Sequence, residues 1–541
     1  MELELVCVGR DGVRRAVVVD VEPDEPVAHL ARSLGCREAL YLGAVALPGW
    51  LPVHRTDVVH GCVLGIDAPP PVPVGSAVGG GSREVAVVGG LHGGPRTTLY
   101  PVGVMTVGRA AEADLVLVDA EVSRRHARLV ISAVDDRVRV EDVGSHNGVR
   151  WRGQVIAEPV DLASGDVVEL GETVIGVREV VTADAELTRE PGTRVFHRPT
   201  GRAAPTADSP ERSARSRDPD PSWLIGAACA PSSRLWERRA GDPDFLRLRL
   251  GLHDRPAEPR MPFADPPPVL RAVPVGVDLA DVGVLGLAGP RGALLASARA
   301  TLARAAVLCP PDELAIVLVT GPENAAAWDW LTWLPHTRPR SAVFDCARLV
   351  ATDDTQARAR LGELRELPAT RHGRPPSWTL VVLDGVRRLS GLSGLTEVLT
   401  GGPAGGVVTL CLEEDPDALP PSCGAVLAAS GDTGGRAVLR CRDQPAVTDV
   451  LVDGVPVEHA TRLALALASI RLPGDAPVHR TAPGPRVRPR LITELGRSTG
   501  TTWVEVDSTV PVGTAVVASE RPGADMTGVH LSRPAGGGTD R

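Results

Sequence analysis

Apolar positions change their rhythm twice along this chain. Leu3 to Val8 and Ala16 to Val21 alternate with polar residues around Asp11-Gly12, which predicts a hairpin. Val27 to Leu34 has helical spacing, and Leu40 to Leu42, Val45 to Leu47 and Val63 to Ile66 read as short strands. Residues 1–70 are therefore expected to form a small α+β unit, followed by a Pro- and Gly-rich linker over 69–82. Alternation returns at Val104 to Val107, Leu115 to Val118, Ala127 to Ile131 and Val138 to Val140, which predicts an all-β sandwich over 83–181. From about residue 265 the strands become continuous apolar runs, and helices lie between them. Val282 to Leu287, Leu314 to Thr320, Leu380 to Asp384 and Val407 to Leu412 are the strands; Ala293 to Leu308 and Val457 to Ile470 are the helices. Strands apolar on both faces indicate a parallel sheet covered on each side.

A chain of 541 residues is too long for one core and implies several domains. All 58 basic residues are Arg, a bias that fits a GC-rich, actinobacterial genome and removes any chemistry needing a lysine amine. A net charge of −9 argues against broad nucleic-acid affinity, and no direct nucleic-acid partner is expected. The nine cysteines form no CxxC pair, so they read as reduced thiols of a cytoplasmic protein, with no metal or cofactor site expected. The chain opens without a signal-peptide pattern. The most membrane-like run, Trp223 to Ala230, is far shorter than the roughly 20 apolar residues a spanning helix needs.

Three motifs fall in order between Gly108 and Gly148: Gly108-Arg109, Ser123-Arg124-Arg125-His126-Ala127, and Asp142 to Gly148. Each lies at a turn between strands, so their polar groups gather at one end of the sandwich, where binding residues usually sit. A guanidinium fork, a hydroxyl and a side-chain amide together suit a phosphate dianion and the peptide carrying it. The ordered set resembles the forkhead-associated (FHA) domain, a reader of phosphothreonine peptides. The resemblance implies that Arg109 braces the phosphate loops, Ser123 and Arg124 contact phosphate, and Asn147 grips the peptide backbone. Gly108, His126 and Gly148 are then architectural. His146 stands where the family has Thr or Ser against the phosphate, and Val149 replaces a common Thr. An imidazole there still donates a hydrogen bond and adds charge when protonated. The other reading is a sandwich retained as a spacer.

The first unit resembles a ubiquitin-like β-grasp, suited to docking. The third has the outline of a P-loop (RecA-like) ATPase domain whose chemistry has been lost. Gly289-Pro290-Arg291-Gly292 stands where a glycine-rich loop would cradle phosphates, but Leu295 and Ala296 hold the lysine and Mg²⁺-hydroxyl positions. Asp384 ends an apolar strand like the second nucleotide motif, but Gly385 occupies the place of the catalytic carboxylate. Gly289, Gly292 and Asp384 thus mark a degenerate nucleotide site, and Asp384 reads as a strand-end residue capping a turn. The expectation is a pseudo-ATPase with no enzymatic activity. Segments at Ser233 to Arg239, Asp242 to Leu246 and Trp328 to His336 resemble the FtsK/SpoIIIE-type ATPases of type VII secretion (EccC-like) over about residues 223–470.

Thr193 to Pro221, rich in Arg, Pro, Ser and Asp with few apolar residues, reads as disordered and gives a linker over 182–222. Composition likewise marks a Pro- and Gly-rich tail (471–541), and the resemblance implies a stalk-like segment (223–264) and the degenerate P-loop domain (265–470) between them. The family's membrane spans are missing, with Trp223 to Ala230 as their remnant, and the chain stops where a working motor would begin. The linker reads as a tether or, alternatively, as phosphorylation targets at Thr200, Thr206 and Ser209. Trp330 and Trp333 share a helical face that is either core or a docking surface. The functional expectation is a phosphothreonine-binding adaptor, controlled by a Ser/Thr kinase and associated with a membrane-bound translocase. The alternatives are an ATP-binding component of a translocase and a decayed derivative.

Overall fold

Leu3, Leu5 and Cys7 enter one core together with Val27 and Leu30, because alternate residues of the Glu2–Val8 strand face the Val27–Ser33 helix. This computed structural model describes residues 1–70, 83–98, 103–131, 138–199, 209–257, 269–367, 377–401 and 405–473, with two further strands, Arg490–Thr493 and Val504–Glu505. In the first unit the strand order is Arg14–Asp20, Glu2–Val8, Val63–Ile66, Leu40–Leu42, Val45–Ala46. Glu2–Val8 runs antiparallel to Arg14–Asp20 and parallel to Val63–Ile66.

The second unit is a sandwich of two sheets. One orders Val160–Leu162, Val138–Asp142, Ala127–Ile131, Gly103–Gly108 and Leu115–Val116. The other orders Gln154–Val155, Val149–Trp151, Val167–Leu170, Thr173–Glu179, Arg83–Gly89 and Arg96–Thr98. Val85, Val87, Met105, Val107, Leu129, Val140, Val149 and Ile175 fill the space between them. The rigidity of that core is what can hold the motif loops at its end in fixed positions.

The third unit carries a ten-stranded sheet. Its last six strands are parallel, in the order Ala425–Ser430, Val284–Ala288, Val407–Glu413, Trp378–Asp384, Leu314–Val319, Val350–Ala351. Against it lies the Arg291–Leu308 helix, with fourteen of its eighteen residues buried, which is why its sequence is mostly Ala and Leu with no polar stripe.

Several expectations are corrected here. The described parts of residues 182–222 are not a disordered tether: they contain the Glu186–Glu190 and Thr193–His197 hairpin and the Pro210–Arg217 helix. Ser209 caps that helix by accepting the Arg212 amide at 3.2 Å, so it is a structural residue; Thr200 and Thr206 lie outside the described residues. The stalk-like segment is part of the α/β unit, since Arg247–Pro256 pairs into its sheet. Trp236 also packs on the long helix, its Nε1 donating to the Ala306 carbonyl at 3.0 Å. The strand expected to begin at Val282 begins at Val284, because a short Leu279–Val282 turn of helix ends at Gly283, which adopts φ +69°. Trp223 to Ala230 forms most of a buried core helix, Pro221–Cys229, capped by Asp220. Trp328, Trp330 and Trp333 are buried on a 3₁₀ helix, Ala325–Trp333, and Trp333 meets His60 of the first unit with ring centroids 6.0 Å apart. Among the described residues no helix is long and apolar enough to cross a membrane. The linker beyond residue 70 and the tail segment Thr514 to Val517 lie outside them.

The sandwich and the α/β unit share buried polar contacts. Arg178 of the sandwich donates to Glu84 at 2.9 Å and pairs with Asp220 at the head of the core helix. Arg249 donates to the Val88 and Asp218 carbonyls at 2.8 and 3.0 Å and pairs with Asp453 at 2.7 Å, all nearly inaccessible to solvent. Burial pushes the Asp453 carboxyl up, against the pull of Arg249.

Candidate functional site

The end of the sandwich is built from three loops that tie to one another before any ligand arrives. The loops after Gly108 and at Ser123 run side by side, with the Arg109 amide donating to the Ser123 carbonyl at 3.0 Å and the Ala110 amide to Arg124 at 3.1 Å. Gly108 is required by this approach, because a Cβ there would stand 2.2 Å from the Arg124 oxygen. Arg109 Nε donates to the Val122 carbonyl at 3.1 Å, which leaves the outer nitrogens of its exposed guanidinium pointing away from that brace. Ser123 Oγ accepts the His146 amide at 3.1 Å, so its own O–H is left as a donor. Asn147 Nδ2 donates to the Glu121 carbonyl at 2.9 Å and keeps its side-chain oxygen as an acceptor.

His126 is fully buried beneath these loops. Its Nδ1 accepts the Ser123 amide at 3.0 Å, so the ring proton sits on Nε2, which donates to the Gly148 carbonyl at 3.2 Å. Gly148 itself adopts φ +77°, with Val155 where a Cβ would go. Arg124, His146 and Asn147 are exposed. The structure thus brings Arg109, Ser123, Arg124, His146 and Asn147 to one surface, with His126, Gly108 and Gly148 behind it. Two guanidinium groups, a hydroxyl and an imidazole on one surface can hold a dianion through charge-assisted hydrogen bonds.

Sequence reasoning gave no role to Asp142, and the geometry gives it one. Its Oδ1 accepts the Gly144 and Ser145 amides at 2.9 and 2.7 Å, and its Oδ2 accepts the Ser145 hydroxyl and the Val149 amide at 2.8 and 3.0 Å. The Asp-x-Gly-Ser spacing was the available signal for such a turn. Burial pushes this carboxyl up, but the four donors outweigh it and hold it below its ordinary value of 3.8. A depressed carboxylate contributes stability above the ordinary range, lost as pH falls through the lower folded value, so the loop stays assembled at neutral pH. Asp142→Ala should cost about 1–3 kcal/mol through the unmet amides, and a melt of the full chain should show a drop of about 3 °C or more. An unchanged melting curve would mean that the loop finds other acceptors.

Asp119 carries the site's support outward. It accepts from the Glu121 amide and from the Glu172 amide and Thr173 hydroxyl, and Glu172 in turn accepts from Thr433 of the α/β unit at 2.8 Å.

Around Gly289, Gly292 and Asp384 the structure brings residues together in an unexpected way. Gly289 takes φ +144° after its strand, and the long helix starts at Arg291, with Gly292 in its first turn. Asp384 does not cap a turn, which is a correction. It is fully buried and accepts Arg291 Nη1 and Nη2 at 2.6 and 2.8 Å, Thr320 Oγ1 at 3.1 Å and Trp328 Nε1 at 2.7 Å. Sequence reasoning missed Arg291 as a functional side chain because its partner lies 93 residues away.

A family model described as FHA domain matches residues 105–171. The glycogen accumulation regulator GarA of Mycobacterium tuberculosis is 37% identical over 130 residues, covering 22% of this chain and 76% of that protein. The chain belongs to the FHA-domain family. This FHA-domain protein also shares partial-length homology with ESX secretion proteins of M. tuberculosis. EccC4 is 32% identical over 144 residues, 23% of this chain and 12% of that protein. EccC3 is 34% identical over 174 residues, 28% of this chain and 13% of that protein. The FHA-domain protein thus spans about an eighth of the length of these EccC relatives.

Proposed function

We propose that this FHA-domain protein is a cytoplasmic adaptor that binds phosphothreonine peptides beside an EccC-type, type VII secretion assembly and turns over no nucleotide. The observation that carries the reading is the convergence of Arg109, Ser123, Arg124, His146 and Asn147 on one exposed face over a buried His126. Phosphorylation supplies the dianion that such a face needs, which makes a Ser/Thr kinase the upstream partner. The nine free cysteines are consistent with a reducing compartment.

The strand order of the first unit supports a ubiquitin-like β-grasp. Its inner face is engaged within the chain, since Arg338 donates to His60 Nε2 at 3.0 Å and Arg348 to Glu4 at 3.4 Å. A partner translocase would therefore meet the outer face of that unit, where Trp50 and Val45 are exposed. The parallel sheet supports descent from a P-loop ATPase, while Leu295 and Ala296 argue against nucleotide binding.

Calorimetry on the full chain tests the reading, with matched peptides taken from the best hit of an oriented phosphothreonine library. The phosphothreonine form should bind, the phosphoserine form less well by about fivefold for the lost methyl contact, and the plain peptide not at all. Equal affinity for phosphorylated and plain peptide would overturn it.

A further inference from the structure

We propose that Arg291 is a built-in ligand of the vestigial nucleotide crevice, its guanidinium standing permanently where a bound cation and phosphate would otherwise be. The proposal deepens the reading that this domain turns over no nucleotide.

The crevice lies outside the carboxyl ends of the parallel strands, the place where open α/β sheets bind ligands. It encloses about 280 Å³ between Arg291, Asn324, Gly385 and Arg387 on one side and Leu412, Glu413, Glu414 and Asp415 on the other. Three acidic residues against two arginines give its lining an acidic balance that disfavours a polyphosphate. Of the two arginines, Arg291 is the one paired with the buried carboxylate. Arg291 reaches from the first turn of the helix and meets Asp384 with both terminal nitrogens in a fork that matches the carboxylate.

Asp384 already accepts four hydrogen bonds from within the chain. Its Oδ1 is taken by Arg291, and its Oδ2 by Arg291, Thr320 and Trp328 together. Its side chain is sealed from solvent, while that of Arg291 is about a quarter exposed, so the guanidinium acts as the stopper of the pocket. A lysine in the loop would serve the phosphates from its own position. An arginine two residues beyond Gly289 instead folds back onto the sheet and satisfies the buried carboxylate from within the chain. The pair ties the helix start, the ends of two strands and the 3₁₀ helix bearing Trp328 into one cluster.

The test uses the full chain and thermal melting. Arg291→Ala leaves a buried carboxylate without its cation, so its Tm should fall by at least about 5 °C. Ethylguanidinium at about 20 mM should then raise the Tm of this variant by about 2 °C or more, refilling the vacated fork as a free ligand. Ethylammonium, with the same charge but no fork, should do less. The wild type and the Arg291→Ala, Asp384→Asn double variant should show no rise with ethylguanidinium. If Arg291→Ala does not fold, Arg291→Lys keeps the charge without the fork, and its Tm should lie below that of the wild type. Mg-ATP should leave the wild-type Tm unchanged. A wild-type Tm in Arg291→Ala, or equal effects of ethylguanidinium on all three proteins, would overturn the built-in ligand alone. Stabilisation of the wild type by Mg-ATP would overturn both this proposal and the reading of the domain as inactive.

Discussion

Arg109→Ala and Ser123→Ala should each weaken a phosphothreonine peptide by about ten- to a hundredfold while the sandwich stays folded. The loss follows from removing one partner of a charge-assisted hydrogen bond, worth about 1.5–3 kcal/mol. The two variants should fail in different ways. Ser123 offers its O–H while its Oγ accepts the His146 amide, so the alanine variant loses a phosphate donor and loosens the neighbouring loop. Arg109 gives Nε to the Val122 carbonyl and holds its outer nitrogens free, so its loss removes both charge and brace. Because part of the Arg109 term is Coulombic and the side chain is exposed, its contribution should shrink as salt rises, and that of Ser123 should not. Calorimetry at two ionic strengths, with a thermal melt as the folding control, separates the two. Full affinity in both variants would move the peptide site away from these loops.

Arg249→Ala should be the more damaging change to stability, at about 3–5 kcal/mol, or about 6 °C or more in Tm for the full chain. Arg249 is 3% exposed and Asp453 2%, and the pair is joined by hydrogen bonds to the Val88 and Asp218 carbonyls. Truncation would leave a buried carboxylate and two buried carbonyls without their donor, and the other buried cation beside them, Arg304, is already held against Asp218 and the Pro219 carbonyl. Much of that cost is the uncompensated charge. Arg249→Met combined with Asp453→Leu should therefore recover a large part of it, since a buried pair exchanged for apolar side chains is often close to neutral. A drop of less than about 2 °C in Arg249→Ala would show that apolar contacts and the other polar ties, Arg178–Asp220 and Glu172–Thr433 among them, hold the sandwich to the α/β unit without it.

The motif loops and the alternation of the first two units were legible because both depend on short-range rules. Period-two burial reports a strand, and Gly148 marks a turn whose φ of +77° favours glycine. The long helix and the parallel strands were legible for the same reason, apart from the start at Val284. The segment 182–222 misled because its Arg, Ser, Pro and Asp composition resembles a tether. In the fold those polar residues are used against the rest of the chain: Arg212 pairs with Asp166 at 3.0 Å, and Arg215 donates to the Gly165 carbonyl at 3.0 Å. Composition counts polarity and is blind to a partner elsewhere.

By itself, then, the sequence determined the local shapes and the inventory of chemistry: which segments are strands or helices, where the donor side chains lie in the loops, and that no lysine stands in the loop from Gly289 to Gly292. Only the tertiary structure decided what those groups meet. Asp384 looked like a cap until Arg291, Thr320 and Trp328 converged on it from three other segments, and Trp333 could have been core or docking surface until His60 covered it. Local backbone preference acts over a few residues and can be read in order. A buried carboxylate takes its partner from whatever the packed fold brings within about 3 Å, and that distance has no counterpart along the chain.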